Sequence, residues 1–276
     1  MKQMMFTLWD VGHGLSIWIK TPNEQNHWID AGKNGDTDFS PAQHVYEDYK
    51  ERDIDYLVVS HPDADHIENL PDLIEYLDEP RVLTRNKTLP DELKYGECTQ
   101  EYQKIFKDLD CRFNGTVKPE KSPRNMEYNG GVNVKTANLS YRDGMTKNNS
   151  SVVVMYAYAG WLFVCPGDIE PDGWEELWDI ESETFDPLIK KSEYRILVAP
   201  HHGRESGYSQ QMMDDIDPHM VLVSDVPGES PTDRRFRENP IGVEFEGEVI
   251  PYISTKTEGR IQFIISEDGS CMLNVQ

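Results

Sequence analysis

The feature that most constrains this chain is a recurrence: short apolar runs, each long enough for one buried strand, break off at a residue that can bind a metal. "NHWI" runs into Asp30, "IDYLVVS" into His61, "WLFVCPG" into Asp168 and "RILVAP" into His201 and His202. Runs of this length and β propensity, closed by Gly or Pro, read as buried strands. In layered α/β folds the carboxyl ends of strands are where sites are built. The densest case is His61-Pro62-Asp63-Ala64-Asp65-His66, with four ligand-type side chains in six positions. The plain alternative is a charged turn in which Asp65 or Asn69 caps the next helix. Desolvating so many unpaired polar groups behind a buried strand is costly, which favours a metal site.

The rest of the chain fits the same α/β alternation. "MMFTLWDVG", "LSIWIKT" and "NHWIDAG" read as a β-meander, and "SPAQHVYEDYKERD" reads as a helix capped by Ser40. "LPDLIEYLDEP" starts a helix near Pro71 and stops it at Pro80. A helix is expected within "PDELKYGECTQEYQKIFKDL", and loop with a hairpin over "NGTVKPEKSPRNMEYNGG". The second half gives two strands around a Gly turn in "NSSVVVMYAYAGWLFVCPGD", then a helix, the strand "RILVAP", a helix over "GYSQQMMDDI", the strand "HMVLVSD" and a closing hairpin, "GRIQFIISEDGSCMLNV". At 276 residues the reading is one domain over 1–276, elaborated at about 80–130.

Composition narrows the function. Four scattered cysteines (Cys98, Cys111, Cys165, Cys271) show no paired spacing, so neither thiolate zinc nor a disulfide framework is expected. No leader or membrane-spanning run is read, so a soluble cytoplasmic protein with no membrane partner is expected. Against 27 Lys plus Arg stand 50 Asp plus Glu, a formal charge of −23 that repels polyanions over most of the surface. A nucleic-acid substrate would then need a local basic track, a bound cation or a protein partner. Arg234, Arg235 and Arg237, with Arg204, form the one basic cluster of note; it suits phosphate, or is a solvated loop neutralised by acidic neighbours. Trp9, Trp18, Tyr208 and Phe236 are candidates for stacking a base, or core residues.

Taken together, "LWDVGHGLSIWI", "WIDAG", "SHPDADH", the Asn148-Asn149-Ser150-Ser151 segment, "PGD", "PHHG" and "TKTEGRIQF" resemble the metallo-β-lactamase superfamily. Within it they resemble the hydrolase domain of the ComEC type of DNA-uptake competence protein. The resemblance implies an αββα sandwich with a one- or two-metal centre at one edge. It implies that His61 and Asp63 help hold one ion, that Asp65 and His66 face a second, and that Asp168 bridges them. The closing ligand is His201 or His202, with the His-Gly pairing favouring His202 and leaving His201 beside the substrate. Asp30 resembles the acid that orients ligands from behind. Asp65 is also a candidate for steering the proton of the attacking water, which two cations would activate.

Four departures matter. No histidine lies between His66 and His201; in the ComEC-like sequences that this chain resembles an Asn-Asn-x-Ser segment lies near that place, which implies that Asn148, Asn149 and Ser151 line the site or bind through oxygen, with Asn149 grouped with Asp65 and His201 as catalytic. "DVGQG" reads here as "DVGHG", which makes His13 a possible substrate contact or an ordinary turn residue, and "HHGS" reads as "HHGR", with Arg204. Asp63 stands where the zinc hydrolases that this motif resembles carry histidine, and it makes the donor set oxygen-rich, which favours Mn²⁺ over Zn²⁺ or Mg²⁺. The expected activity is a metal-dependent phosphodiesterase or nuclease. The alternatives are hydrolysis of a small ester, lactone or thioester, or a partner-regulated subunit of a larger assembly.

Overall fold

In the opening strands alternate side chains go to opposite faces, which is what lets one strand bury two layers at once. The computed structural model describes residues 2–35, 37–226 and 231–276. β1 (Gln3–Leu8), β2 (Ser16–Lys20) and β3 (Asn26–Ala31) form the expected antiparallel meander. Met4, Phe6 and Leu8 face one interior, while Met5, Trp18 and Trp28 face another. α1 (Pro41–Asp48) begins where the Ser40 hydroxyl accepts the Gln43 N–H, and leads to β4 (Tyr56–Val58), parallel to β3. Then come α2 (Ala64–Ile67), α3 (Leu70–Leu77), β5 (Leu83–Thr84), α4 (Asp91–Tyr95) and α5 (Glu101–Arg112). The stretch expected to hold one helix at 90–109 holds two, because Gly96 takes a positive φ of 53° and ends α4.

The hairpin expected over 114–131 is not found. Among the described residues that stretch has only a 3₁₀ turn, Pro119–Lys121, before β6 (Asn133–Ala137). β7 (Val153–Tyr158) and β8 (Trp161–Cys165) turn around Ala159 and Gly160, as expected. α6 (Pro171–Lys191), β9 (Tyr194–Val198), α7 (Gln210–Ile216), β10 (Met220–Val223) and α8 (Arg235–Glu238) follow. The chain closes with β11 (Val243–Phe245), β12 (Glu248–Ile250), β13 (Tyr252–Ser254), α9 (Thr255–Glu258), β14 (Ile261–Ser266) and β15 (Cys271–Val275).

Two sheets result, ordered β15-β14-β1-β2-β3-β4-β5 and β13-β10-β9-β8-β7-β6, with β11 and β12 as a separate ribbon. Their facing sides share one apolar core, in which Phe6 and Phe163 stack with ring centroids 4.1 Å apart. The outer face of the first sheet is covered by α1, α3 and α5 through Val45, Leu73 and Phe106, and that of the second by α6 and α7 through Trp174, Phe185 and Met212. The fold is therefore the αββα sandwich. Parallel neighbours end at the same edge: β3 beside β4, and β8 beside β9. Facing the sheets brings those two ends together, and the Val152 N–H donates to Ser60 O across the junction at 2.8 Å. No helix among the described residues is long and apolar enough to cross a membrane.

Candidate metal centre

Each strand end is fixed locally. Pro62 disfavours helical backbone at His61, so the chain leaves β4 extended before α2 turns Asp65 and His66 back over the edge. That turn is pinned from the first loop, where the Leu15 N–H donates to Asp65 O at 3.1 Å. Only glycine fits at 14: a Cβ there would lie 2.5 Å from the Asp65 carbonyl oxygen. His201 and His202 both take left-handed backbone, with φ of 49° and 54°, at a cost of about 1–3 kcal/mol each. The two strained steps send the rings apart. His202 is buried at the centre, whereas His201 is half-exposed and its Nδ1 faces the Ser206 hydroxyl at 2.9 Å.

Among the described residues, one group of donor atoms lies mutually within 4.8 Å: Asp65, His66, Asp168 and His202. Asp65 Oδ2 is 3.1 Å from His202 Nε2 and 3.8 Å from His66 Nε2, and Asp168 Oδ1 is 3.3 Å from His66 Nε2. Asp168 Oδ2 turns the other way, 3.8 Å from His202 Nε2 and 3.7 Å from His61 Nε2. His61 Nε2 in turn is 3.4 Å from Asp63 Oδ2. Asp168 thus stands between two half-sites. Donors about 2.1 Å from a common tetrahedral ion lie roughly 3.4 Å from one another, the scale seen here.

The buried imidazoles provide the test of fit. His61 Nε2 and His66 Nε2 are both buried with no hydrogen-bond partner, although an orphaned buried polar atom is costly and rare. Their other nitrogens are occupied. His66 Nδ1 is 2.8 Å from Asp30 Oδ2, and His61 Nδ1 is 3.2 Å from Ser60 Oγ and 3.5 Å from Ser151 Oγ. Asp30 is itself buried and accepts from the Ser60 N–H at 2.7 Å and the Ser60 hydroxyl at 2.6 Å. The ring orientation is fixed from behind and the free nitrogens converge in front, so this donor set fits a divalent cation.

The electrostatics agree. Burial disfavours charge on His66, but the carboxylates of Asp168 and Asp30 outweigh it and hold its pKa well above the usual value. Burial likewise opposes charge on Asp168, yet His66, His202 and His61 hold it well below the carboxylate range. His61, fully buried and beside His66, is pushed down to about 4. Positive charge among these carboxylates is favoured, whichever cation supplies it.

Other expected residues fall at the rim or away from the centre. His13 Nε2 is 3.3 Å from Asp65 Oδ2, and its Nδ1 is 3.1 Å from Arg204 Nη2. Ser151 Oγ accepts the Asp168 N–H at 3.2 Å and so supports two donors. Asn148 opens a 3₁₀ turn and its carbonyl accepts the Ser151 N–H. A reacting role for Asn149 is not supported by its placement: its amide oxygen accepts the Glu170 N–H at 2.9 Å and packs against Gly173. The base-stacking reading also fails, since Trp9, Trp18, Tyr208 and Phe236 are all buried. Arg235 pairs with Asp233 and lies over Tyr208, Arg237 lies over Tyr252, and Arg234 is exposed with Glu238 3.9 Å away. Two residues were missed: Ser60, visible only as the last polar residue of an apolar run, and Lys147. Lys147 Nζ forms an ion pair with Asp63 Oδ1, and its only sequence signal is its place before the Asn-Asn segment.

Carboxylates and imidazoles gathered at the edge of an αββα sandwich define a class, the metal-dependent hydrolases of that fold. The sequence profile of the Metallo-beta-lactamase superfamily matches residues 9–210, which contain every donor described above. The chain belongs to that superfamily. No curated protein matches its sequence. Among solved structures, a diphosphatase of the PhnP family is 14% identical over 95% of this chain and 98% of its own, with a TM-score of 0.42. A mutant of the CmlA beta-hydroxylase is 12% identical (93% of this chain, 53% of that one, TM-score 0.47), and a long-form RNase Z from yeast is 11% identical (97% and 42%, TM-score 0.48). This chain spans about half of the latter two, and likenesses of this size carry no argument about activity.

Proposed function

We propose that this chain is a phosphodiesterase or nuclease working with bound divalent cations, of the kind found in the ComEC-type proteins its motifs resemble. One observation carries the reading: three carboxylates, Asp63, Asp65 and Asp168, share the centre with His61, His66 and His202. An oxygen-rich set of this kind suits Mn²⁺, with Zn²⁺ or Mg²⁺ as alternatives, and its negative charge retains cations that face a phosphate anion. His61 and Asp63 would hold one ion, Asp65, His66 and His202 another, with Asp168 between. When bound, the ions supply a water of lowered pKa and neutralise charge on the phosphoryl oxygens. Asp65, whose Oδ2 lies 3.1 Å from His202 Nε2 and 3.3 Å from His13 Nε2, would steer that water's proton through the carboxylate oxygen not given to the ion. Arg204 and half-exposed His201 are the contacts for the substrate, because guanidinium pairs bidentately with phosphate oxygens and keeps its charge.

The test is metal-stripped protein reloaded with Mn²⁺, Mg²⁺ or Zn²⁺ and assayed on single- and double-stranded DNA, RNA, bis(p-nitrophenyl) phosphate and a p-nitrophenyl ester, beside Asp168→Ala. The expected result is phosphodiester cleavage, fastest with Mn²⁺, and a fall of about 10²- to 10³-fold or more in Asp168→Ala. Cleavage of the ester alone with every metal would refute the phosphodiesterase reading. Full recovery with zinc alone would refute the manganese preference.

A further inference from the structure

We propose that the two half-sites bind metal unequally and that Lys147 sets the difference: one ion is held tightly by Asp65, His66, Asp168 and His202, while Lys147 supplies the standing positive charge of the His61–Asp63 half. The inference rests on the metal-centre reading above and adds to it the number and order of ions bound.

Donor count comes first. The tight half gathers four donor atoms within 4.8 Å, whereas among the described residues the other has His61 Nε2, Asp63 Oδ2 and the shared Asp168 Oδ2, and no histidine lies between His66 and His201 in the sequence. Charge comes second. Asp63 gives its other oxygen, Oδ1, to Lys147, so the carboxylate that should attract an ion is already largely neutralised. A fixed ammonium beside a half-site opposes a divalent ion there by direct repulsion, and it does so strongly because both groups are partly withdrawn from water, with side-chain exposures of 27% for Lys147 and 32% for Asp63.

Position is the third point, since a long lysine on a loose loop would swing away. This one cannot. The segment behind it is tied at successive residues: Asn149 N–H to Thr146 Oγ1 at 3.2 Å, Ser150 N–H to Lys147 O at 3.0 Å and Ser151 N–H to Asn148 O at 2.9 Å. It is tied outward as well, through Asn86 Nδ2 to Ser150 O at 2.8 Å, Val152 N–H to Ser60 O at 2.8 Å and Glu170 N–H to Asn149 Oδ1 at 2.9 Å. The same turn places Ser151 against His61 and Asp168. The Asn-Asn-Ser-Ser segment is thus the mount that delivers Lys147 to Asp63.

The experiment measures bound Mn²⁺ per chain by equilibrium dialysis with elemental analysis, and the electron paramagnetic resonance of the loaded protein, for wild type, Lys147→Gln and Lys147→Arg. Wild type should retain one ion at low free Mn²⁺, with the six-line spectrum of an isolated ion. Lys147→Gln should retain two, with the second site tightened by about 10- to 100-fold and an exchange-coupled spectrum. Lys147→Arg, which keeps the charge, should behave as wild type; Lys147→Gln and Lys147→Arg together separate charge from mere packing. Two equal ions in wild type would overturn the proposal while leaving the metal centre standing, as would a Lys147→Gln protein that still binds one, the result expected if Lys147 serves only the substrate. No binding by any of the three would overturn the metal centre and the proposal together.

Discussion

His27 shows how one residue type takes opposite roles within a single molecule. It lies wholly inside the sandwich, with Nδ1 3.1 Å from the Tyr156 hydroxyl and Nε2 3.2 Å from Gln25 Oε1, so both nitrogens are used. His61 and His66 are equally buried but each keeps one nitrogen without a partner, and that difference separates a core histidine from a candidate ligand. Burial pushes the His27 pKa down to about 3 from the ordinary 6.5. Between those values the unfolded chain takes up a proton that the native state refuses, so stability falls as pH falls, by roughly 1.4 kcal/mol per pH unit at most. Urea unfolding at pH 7 and pH 5 should therefore show a smaller acid-induced loss for His27→Gln than for wild type. Equal losses in both would count against a neutral buried His27.

At the scale of elements, caps and breakers decided what was legible. Ser40 and Pro41 mark the start of α1, and the structure begins it there. The Ser40 hydroxyl also meets the Asn69 side chain at 3.1 Å, tying α1 to the start of α3 beside the metal motif. Ser40→Ala should cost about 1 kcal/mol by the cap alone, read as a lowered denaturation midpoint with unchanged slope. Elements without such signals were missed. β6 is a sheet edge whose sequence, Asn-Val-Lys-Thr-Ala, is mostly polar, and β13 is only three residues long. Both are held as strands by pairing with a neighbour, β7 for one and β10 for the other.

For the whole molecule the governing quantity is the charge of −23. Arg235 pairs with Asp233 and Arg237 lies over Tyr252, so under the proposed reading a long polynucleotide would approach against a repulsive field. If the phosphodiesterase reading holds, raising ionic strength from about 20 to 150 mM should increase kcat/KM for a long single strand relative to bis(p-nitrophenyl) phosphate, because salt screens repulsion as readily as attraction. A nuclease with a basic track would show the opposite slope, and steady-state rates at the two salt concentrations distinguish them.

What the sequence determined by itself was the repertoire: strand runs that end in Asp30, His61, Asp168 and His202, and an alternation of strands and helices, to which the family resemblance added the αββα sandwich and the donor set. These are legible because periodicity and punctuation are local properties of a chain. The tertiary structure alone decided which donors meet. Two parallel strand pairs had to be faced before Asp168 could stand between His61 and His66, and two left-handed residues had to turn His202 inward and His201 outward. It also decided that Asn149 braces a loop while Lys147, one turn away and unremarked, reaches Asp63. Distances across a sandwich depend on how two sheets pack, and no spacing within the chain encodes them.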